Sequence, residues 1–301
     1  MSKDEHQTTF RSGFVAILGA PNAGKSTLLN RILGQKISIT SKKPQTTRNR
    51  ILGVAHRSES QMVFVDTPGI HKAKTPLNTR IVEAALSTLS EADLLLLVAD
   101  AKSPDEPSEK LLLKKLSQQR LPVVLALNKI DQIKRSLLLS QIEAWSAAFP
   151  FEGVIPISAK SGEQVNRLLD AMEHVLPEGL PFFPPDSITD LPTRFIVAET
   201  IREKVFRLTG QEIPYAVMVT VDSYKSEKNG TLIRIHATIH VERDSQKGII
   251  IGKRGSKLKQ IGEVARKEIE ELLESRVFLK LFVRVQKNWT KDTRALRKFG
   301  Y

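Results

Sequence analysis

The chain has 301 residues, 41% of them hydrophobic and 26% charged, with a formal net charge of +13, a composition that suits a globular protein of about two domains. It has no cysteine, which excludes disulfides and thiolate metal centres. Residues Met1–Arg11 are polar, and the longest apolar run, Leu94–Ala99, is far shorter than the roughly 20 residues of a membrane span, so a cytoplasmic protein is expected.

The first apolar run, Phe14 to Leu18, leads into Gly19-Ala20-Pro21-Asn22-Ala23-Gly24-Lys25-Ser26, and Thr27 to Leu33 continues with helical spacing. Strand, glycine loop and helix in that order are the context of a phosphate-binding P-loop. Gly19 and Gly24 let backbone N–H groups turn inward, and the positive end of the helix completes an anion nest with Thr27 in its first turn. Lys25 is placed for the β- and γ-phosphates and the Ser26 hydroxyl for Mg²⁺.

Further apolar runs follow at Val63–Val65, Leu94–Val98, Val123–Leu127 and Val154–Ile157. With Val15–Leu18 they are continuous rather than alternating, as in strands buried on both faces. Helical patterns fit Ser26–Leu33, Leu77–Leu89, Ser108–Gln119, Leu137–Ala148 and Gln164–Val175. The expected fold is α/β, a doubly wound and mostly parallel sheet that binds its ligand at the carboxyl ends of the strands.

The other motifs stand at those ends. Asp66-Thr67-Pro68-Gly69 follows the second run: Asp66 is placed to hold Mg²⁺, and the Gly69 N–H to sense a γ-phosphate. Before it, Lys42 to Arg50 is a polar, basic stretch without periodicity, which reads as a loop. One threonine there, Thr47 in preference to Thr46, is expected to complete the Mg²⁺ shell. Asn128-Lys129-Ile130-Asp131 ends the fourth run. The Asp131 carboxylate can accept from guanine N1–H and the 2-amino group, donors that adenine lacks. Lys129 is expected across the base, with Asn128 tying this loop to the P-loop. The last run ends in Ser158-Ala159-Lys160, whose Ala159 N–H can meet guanine O6. GTP and GDP are the nucleotides this set selects.

These four motifs together resemble a Ras-like GTPase of the translation-factor class, and Lys43-Pro44-Gln45-Thr46-Thr47-Arg48 is similar to the Era family. One departure bears on mechanism: Ile70 follows Gly69 where Ras-like enzymes carry a water-orienting glutamine, so no catalytic group is assigned and a slow intrinsic rate is expected. Related GTPases with this replacement use a P-loop asparagine, here Asn22, to help hold K⁺. His71 reads as a solvated loop histidine rather than a base.

Proline-rich Pro177 to Asp186 breaks the pattern. The expected domains are 1–178 (core about 12–176), a linker at 179–191, and 192–301. Charge differs along the chain: residues 1–180 hold 23 Lys+Arg against 18 Asp+Glu, and residues 243–298 hold 16 against 7. The expected polyanion, nucleic acid before acidic lipid, therefore belongs to the C-terminal part. There, an amphipathic helix is expected over Phe195–Leu208. Alternating strands are expected at Tyr215–Tyr224 and Leu232–Val241 around a Lys228-Asn229-Gly230 turn, a long helix at Lys257–Glu274, and a last strand at Phe278–Val285.

Between them lies Gly248-Ile249-Ile250-Ile251-Gly252-Lys253-Arg254-Gly255. This order resembles an α+β type II KH domain. The resemblance implies that Gly252 and Gly255 bring backbone to a single-stranded phosphate chain and that Ile249, Ile250 and Ile251 floor the bases. Lys253, Arg254, Lys257 and Lys259 would neutralise phosphates. Trp289 is open to base stacking or to packing. Lys287-Asn288-Trp289-Thr290-Lys291-Asp292 and the tail Phe299-Gly300-Tyr301 are again similar to the Era family, so the resemblance spans nearly the whole chain. It implies a monomeric, GTP-hydrolysing assembly factor of the 30S ribosomal subunit that holds the 3′ end of small-subunit rRNA, with weak association at the inner membrane face. A GTPase acting on tRNA or at a membrane is the alternative class.

Overall fold

The computed structural model describes residues 9–40, 50–66, 91–209, 213, 217–227 and 231–289. The chain divides into two units, one of residues 1–37, 50–72 and 82–190, the other of residues 38–49, 73–81 and 191–301.

The first unit holds strands β1 (Arg11–Gly19), β2 (Ile51–His56), β3 (Ser60–Asp66), β4 (Leu94–Asp100), β5 (Val123–Asn128) and β6 (Gly153–Ile157). They form one sheet in the order β2-β3-β1-β4-β5-β6, parallel throughout except for the β2–β3 pair. β4 and β5 are buried at every position, which is why they read as unbroken apolar runs. Helices α1 (Lys25–Leu33), α2 (Glu106–Leu116), α3 (Arg135–Ala148) and α4 (Val165–Val175) lie between strands or follow them. On one face, Leu112 and Leu116 of α2 and Trp145 of α3 pack against Ala16, Leu18, Leu95 and Leu97. The expected helix Leu77–Leu89 lies outside the described residues. So do Thr46, Thr47, Thr67, Pro68, Gly69, Ile70 and His71.

β2 is absent from the strands expected above. Its apolar run is interrupted by Gly53, which lets the strand lie close against α1. A Cβ at Gly53 would stand 2.6 Å from Leu33 Cδ1 and 3.0 Å from Leu29 Cδ1.

The proline-rich segment, expected as a linker over 179–191, packs with this unit as far as Asp190. The Gly179 N–H donates to Phe10 O (3.0 Å), and Ser12 Oγ donates to Leu180 O (2.7 Å). Buried Gln61 anchors the middle: its Oε1 accepts from Phe182 N (2.7 Å) and Phe183 N (3.0 Å), and its Nε2 donates to Phe183 O (2.8 Å). Phe183 joins Leu52, Val54, Val63 and Phe14 in an apolar cluster. Farther on, Val54 N donates to Ile188 O at 2.8 Å and Thr189 Oγ1 to Leu52 O at 2.5 Å. The segment is a strap that closes the open edge of β2.

The second unit contains α5 (Thr193–Leu208), β7 (Met218–Glu227), β8 (Leu232–Val241), α6 (Asp244–Ile251), α7 (Ser256–Leu273) and β9 (Arg276–Val285). Its sheet runs β7-β8-β9, antiparallel in the first pair and parallel in the second. Ile261, Ala265 and Ile269 of α7 pack with Ile235, Ala237 and Ile239 of β8. The expected amphipathic helix, α5, is instead buried at every position from Ile196 to Phe206. Its charged residues are tolerated there because they pair. Arg202 Nε reaches Glu199 at 2.7 Å, and Lys204 reaches Glu203 at 3.0 Å and also Glu268 of α7. Among the described residues, no helix is long and apolar enough to cross a membrane.

Candidate functional site

The P-loop leaves β1 and enters α1 through Gly24, whose φ of 105° only glycine adopts readily. α1 has no side-chain cap and no acidic residue in its first turn, so its first N–H groups stay available to an anion. Buried Lys25 donates from Nζ to Gly19 O (3.0 Å) and Ala20 O (2.9 Å). Burial lowers its pKa to about 8, with the Asp66 charge acting in the opposite direction. A phosphate beside it would supply the counter-charge that burial makes valuable.

Ser26 Oγ donates to Asp66 Oδ2 at 2.7 Å, and Asp66 is wholly buried. A hydroxyl and a carboxylate side by side are hard oxygen donors, and they fit Mg²⁺.

Asn128 ties the loops together. Its Nδ2 donates to Ala23 O (2.8 Å), while its Oδ1 accepts from Lys129 N (2.8 Å) and from Ala159 N (2.9 Å). The Ala159 N–H expected at guanine O6 is therefore taken by Asn128. Lys129, at φ 69°, donates to Asn22 O at 2.8 Å and pairs with Asp100. Asp131 follows in a single helical turn and is exposed. Ser158 is buried and its Oγ accepts from Ser161 N at 3.2 Å.

Two contributors went unread in the sequence. Asp100, at the end of β4, accepts from Lys102 N (3.0 Å) and Ser103 N (3.1 Å) while pairing with Lys129. A carboxylate closing an apolar run beside the Asn128 strand was its signal. Arg31 of α1 donates to Ala159 O at 3.3 Å and also bonds Lys160 O, holding the third loop from outside.

In the second unit, α6 ends at Gly252 (φ 70°, ψ 177°) and α7 begins after Gly255 (φ 79°). A Cβ on Gly252 would stand 2.6 Å from Lys257 Cβ and 3.0 Å from Lys257 N, whereas one on Gly255 would meet nothing within 4 Å. α7, like α1, starts with no side-chain cap and no acidic residue in its first turn. Lys253 and Arg254 are exposed in the turn. Lys257 is occupied, donating to Leu208 O at 3.0 Å, and Lys259 stands 3.9 Å from Glu263. Ile250 is wholly inside the core, so it cannot face a base without leaving it; Ile249 and Ile251 are half-buried. Trp289 is wholly buried, which favours packing over stacking.

Residues 14–129 match a family model described as 50S ribosome-binding GTPase, and residues 212–290 one described as KH domain. The chain is 55% identical to a GTPase Era of Geotalea uraniireducens over 97% of this chain and 98% of that relative. It is 53% identical to a GTPase Era of Geobacter metallireducens, with the same coverage of 97% and 98%. Among solved structures, an Aquifex aeolicus Era variant bound to GDP·AlF4⁻ superposes with a TM-score of 0.92 at 40% identity, covering 97% of this chain and 99% of that one. An Era complex with MgGDPNP and nucleotides 1506–1542 of 16S ribosomal RNA gives 0.93, again at 40% identity and with coverage of 97% and 99%.

Proposed function

The chain belongs to the Era family of GTPases, and from that premise we propose a GTP-driven assembly factor of the small ribosomal subunit that grips the 3′ end of its rRNA. It hydrolyses GTP to GDP and phosphate. The observation that carries the proposal is one chain holding both an Asn128-tied nucleotide site and the Gly252–Gly255 turn. A 40%-identical relative holds MgGDPNP and 16S rRNA nucleotides together.

The residues divide the work. The uncapped end of α1 and Lys25 receive the phosphates. Ser26 and Asp66 would hold Mg²⁺, which when bound neutralises charge on the β- and γ-phosphate oxygens. Thr47 is proposed as the switch residue completing that shell, and Gly69 as the N–H that senses the γ-phosphate. The Asp131 carboxylate selects guanine, and Lys129 covers the base. Asn22, exposed at φ 64° in the P-loop, is proposed to help hold K⁺ where Ile70 replaces glutamine. Equal turnover in KCl and NaCl at matched ionic strength would remove the K⁺ assignment. The protein is proposed to act as a cytoplasmic monomer whose basic surface gives weak contact with anionic lipid; sedimentation with and without vesicles tests both points.

The central test is binding to the 3′-terminal oligonucleotide of small-subunit rRNA, with GDP and with a non-hydrolysable GTP analogue, over a salt series. Tighter binding with the analogue, lost in Gly252→Asp, is the expected result. Absence of binding in either nucleotide state would overturn the rRNA assignment.

A further inference from the structure

The outer face of the second unit's sheet has no role in the sites above. Along β9, Val277, Leu279, Leu281, Val283 and Val285 pack into or against the core. Phe278, Lys280, Phe282 and Arg284 alternate with them and face away. Phe278 is 45% exposed and Phe282 43%. Rings this open, on an edge strand paired along its length with β8, leave much apolar surface outside the core. Arg234 on β8 stands opposite Phe278, and Lys225 on β7 stands opposite Arg234.

Each ring carries a cation. The Arg234 guanidinium carbon lies 4.8 Å from the Phe278 ring centre, and Lys280 Nζ lies 5.1 Å from that of Phe282. Arg234 is steadied by two hydrogen bonds to Glu227, of 3.0 and 3.2 Å. α6 and α7, which flank the Gly252–Gly255 turn, pack on the core side of the sheet. The outer face is therefore a separate surface.

The geometry points to a second RNA-binding surface here, one that takes a single-stranded segment on Phe278 and Phe282. It rests on the reading that this unit binds RNA. Half-exposed rings with a guanidinium or an ammonium group stacked over each form a sequence-tolerant platform for bases, and Lys225 and Arg284 supply phosphate neutralisation at its sides. The two rings are four residues apart along a strand, about 13 Å. They would hold two bases of one extended strand rather than neighbours in a stack. A lipid surface fits less well. Membrane-seeking apolar groups project from an amphipathic helix into the interface, whereas these rings lie in a flat sheet and already face cations.

The test uses the full-length protein saturated with an unlabelled 3′-terminal rRNA oligonucleotide, then titrated with a fluorescent oligouridylate about ten nucleotides long. A second binding event is expected. Phe278→Ala/Phe282→Ala should weaken that event at least tenfold while leaving the first oligonucleotide's affinity unchanged. Lys225→Gln/Arg284→Gln should flatten its salt slope by about 1.4, or about 0.7 for each phosphate contact on a single strand. All four side chains lie on the outer face of the sheet, so a cooperative melt within a few degrees of the parent's is expected and serves as the folding control. No second event, or one indifferent to these substitutions, would overturn the proposal. So would loss of phosphatidylglycerol-vesicle binding in the Phe variant with oligouridylate binding intact, which would assign the face to lipid. Failure of the first oligonucleotide alone would count against the Gly252–Gly255 assignment, and the oligouridylate titration would still read the outer face directly.

Discussion

Asn128 Nδ2 donates to the Ala23 carbonyl at 2.8 Å, and a Cβ added to Gly24 would stand 2.2 Å from that same nitrogen. The P-loop glycine and the asparagine that ends β5 are thus shaped to each other. Asn128→Ala removes a donor to one loop and the acceptor for another. The expected cost to GDP affinity is about 2 kcal/mol, or roughly thirtyfold. Gly24→Ala adds the collision and a strained φ of 105° and should lose more. Titration with a fluorescent guanine nucleotide checks both, and an Asn128→Ala protein with undiminished affinity would contradict the reading.

The two glycines of the second unit should not respond alike. Gly252→Ala brings a methyl group against Lys257 Cβ and backbone, while Gly255→Ala enters open space and pays only for its φ of 79°. Binding of the rRNA oligonucleotide should fall at least tenfold in the first variant and severalfold less in the second. GTP turnover without RNA should be unchanged in both.

Gln61 satisfies three backbone groups of the strap from a buried position. Gln61→Ala leaves them without that partner, at an expected cost of about 2–4 kcal/mol. The melting temperature should fall by several degrees, and limited proteolysis should cut within 180–190 sooner than in the parent protein. Equal cleavage rates would show that the strap is held by its apolar contacts and its other hydrogen bonds without help from Gln61.

Glu109 gives a pH signature. Burial raises its carboxyl pKa, a backbone N–H of Asp105 opposes this, and the nearby charges of Asp105, Glu106 and Asp100 add to the rise. A carboxyl whose pKa is higher in the folded state penalises folding when ionised. The penalty is full above the folded pKa, is relieved as pH falls through it, and is gone below the unfolded value. Glu109→Gln should therefore melt higher than the parent at pH 7, with the difference shrinking to nothing near pH 4.

The parallel sheet was legible because β4 and β5 are buried on both faces and so carry unbroken apolar runs. The nucleotide motifs were legible because each closes such a run. β2 escaped because Gly53 serves a contact with Leu29 and Leu33, and a close approach leaves no periodic signal. α5 misled for a related reason. Arg202, Glu203 and Lys204 look like a solvated face until Glu199 and Glu268 supply their partners, and no local pattern announces a buried ion pair. Ile250 and its neighbours read as one apolar floor, yet helical geometry sends Ile250 to the core and leaves Ile249 and Ile251 half-covered. The strap was readable as a proline-rich break and unreadable as a packed element, since its partner Gln61 lies 121 residues from Phe182.

The strap also sets a timetable for synthesis. β1 is among the first segments made, yet its Ser12 and, just before the strand, Phe10 find their partners at Pro177, Leu180 and Gly179. The first unit cannot finish folding until the chain up to Thr189 has left the ribosome. Residues 191–301 then take roughly 5–20 s more at about 5–20 residues per second. During that interval the first unit's nucleotide site can be filled, so nucleotide can be taken up before any RNA can be held.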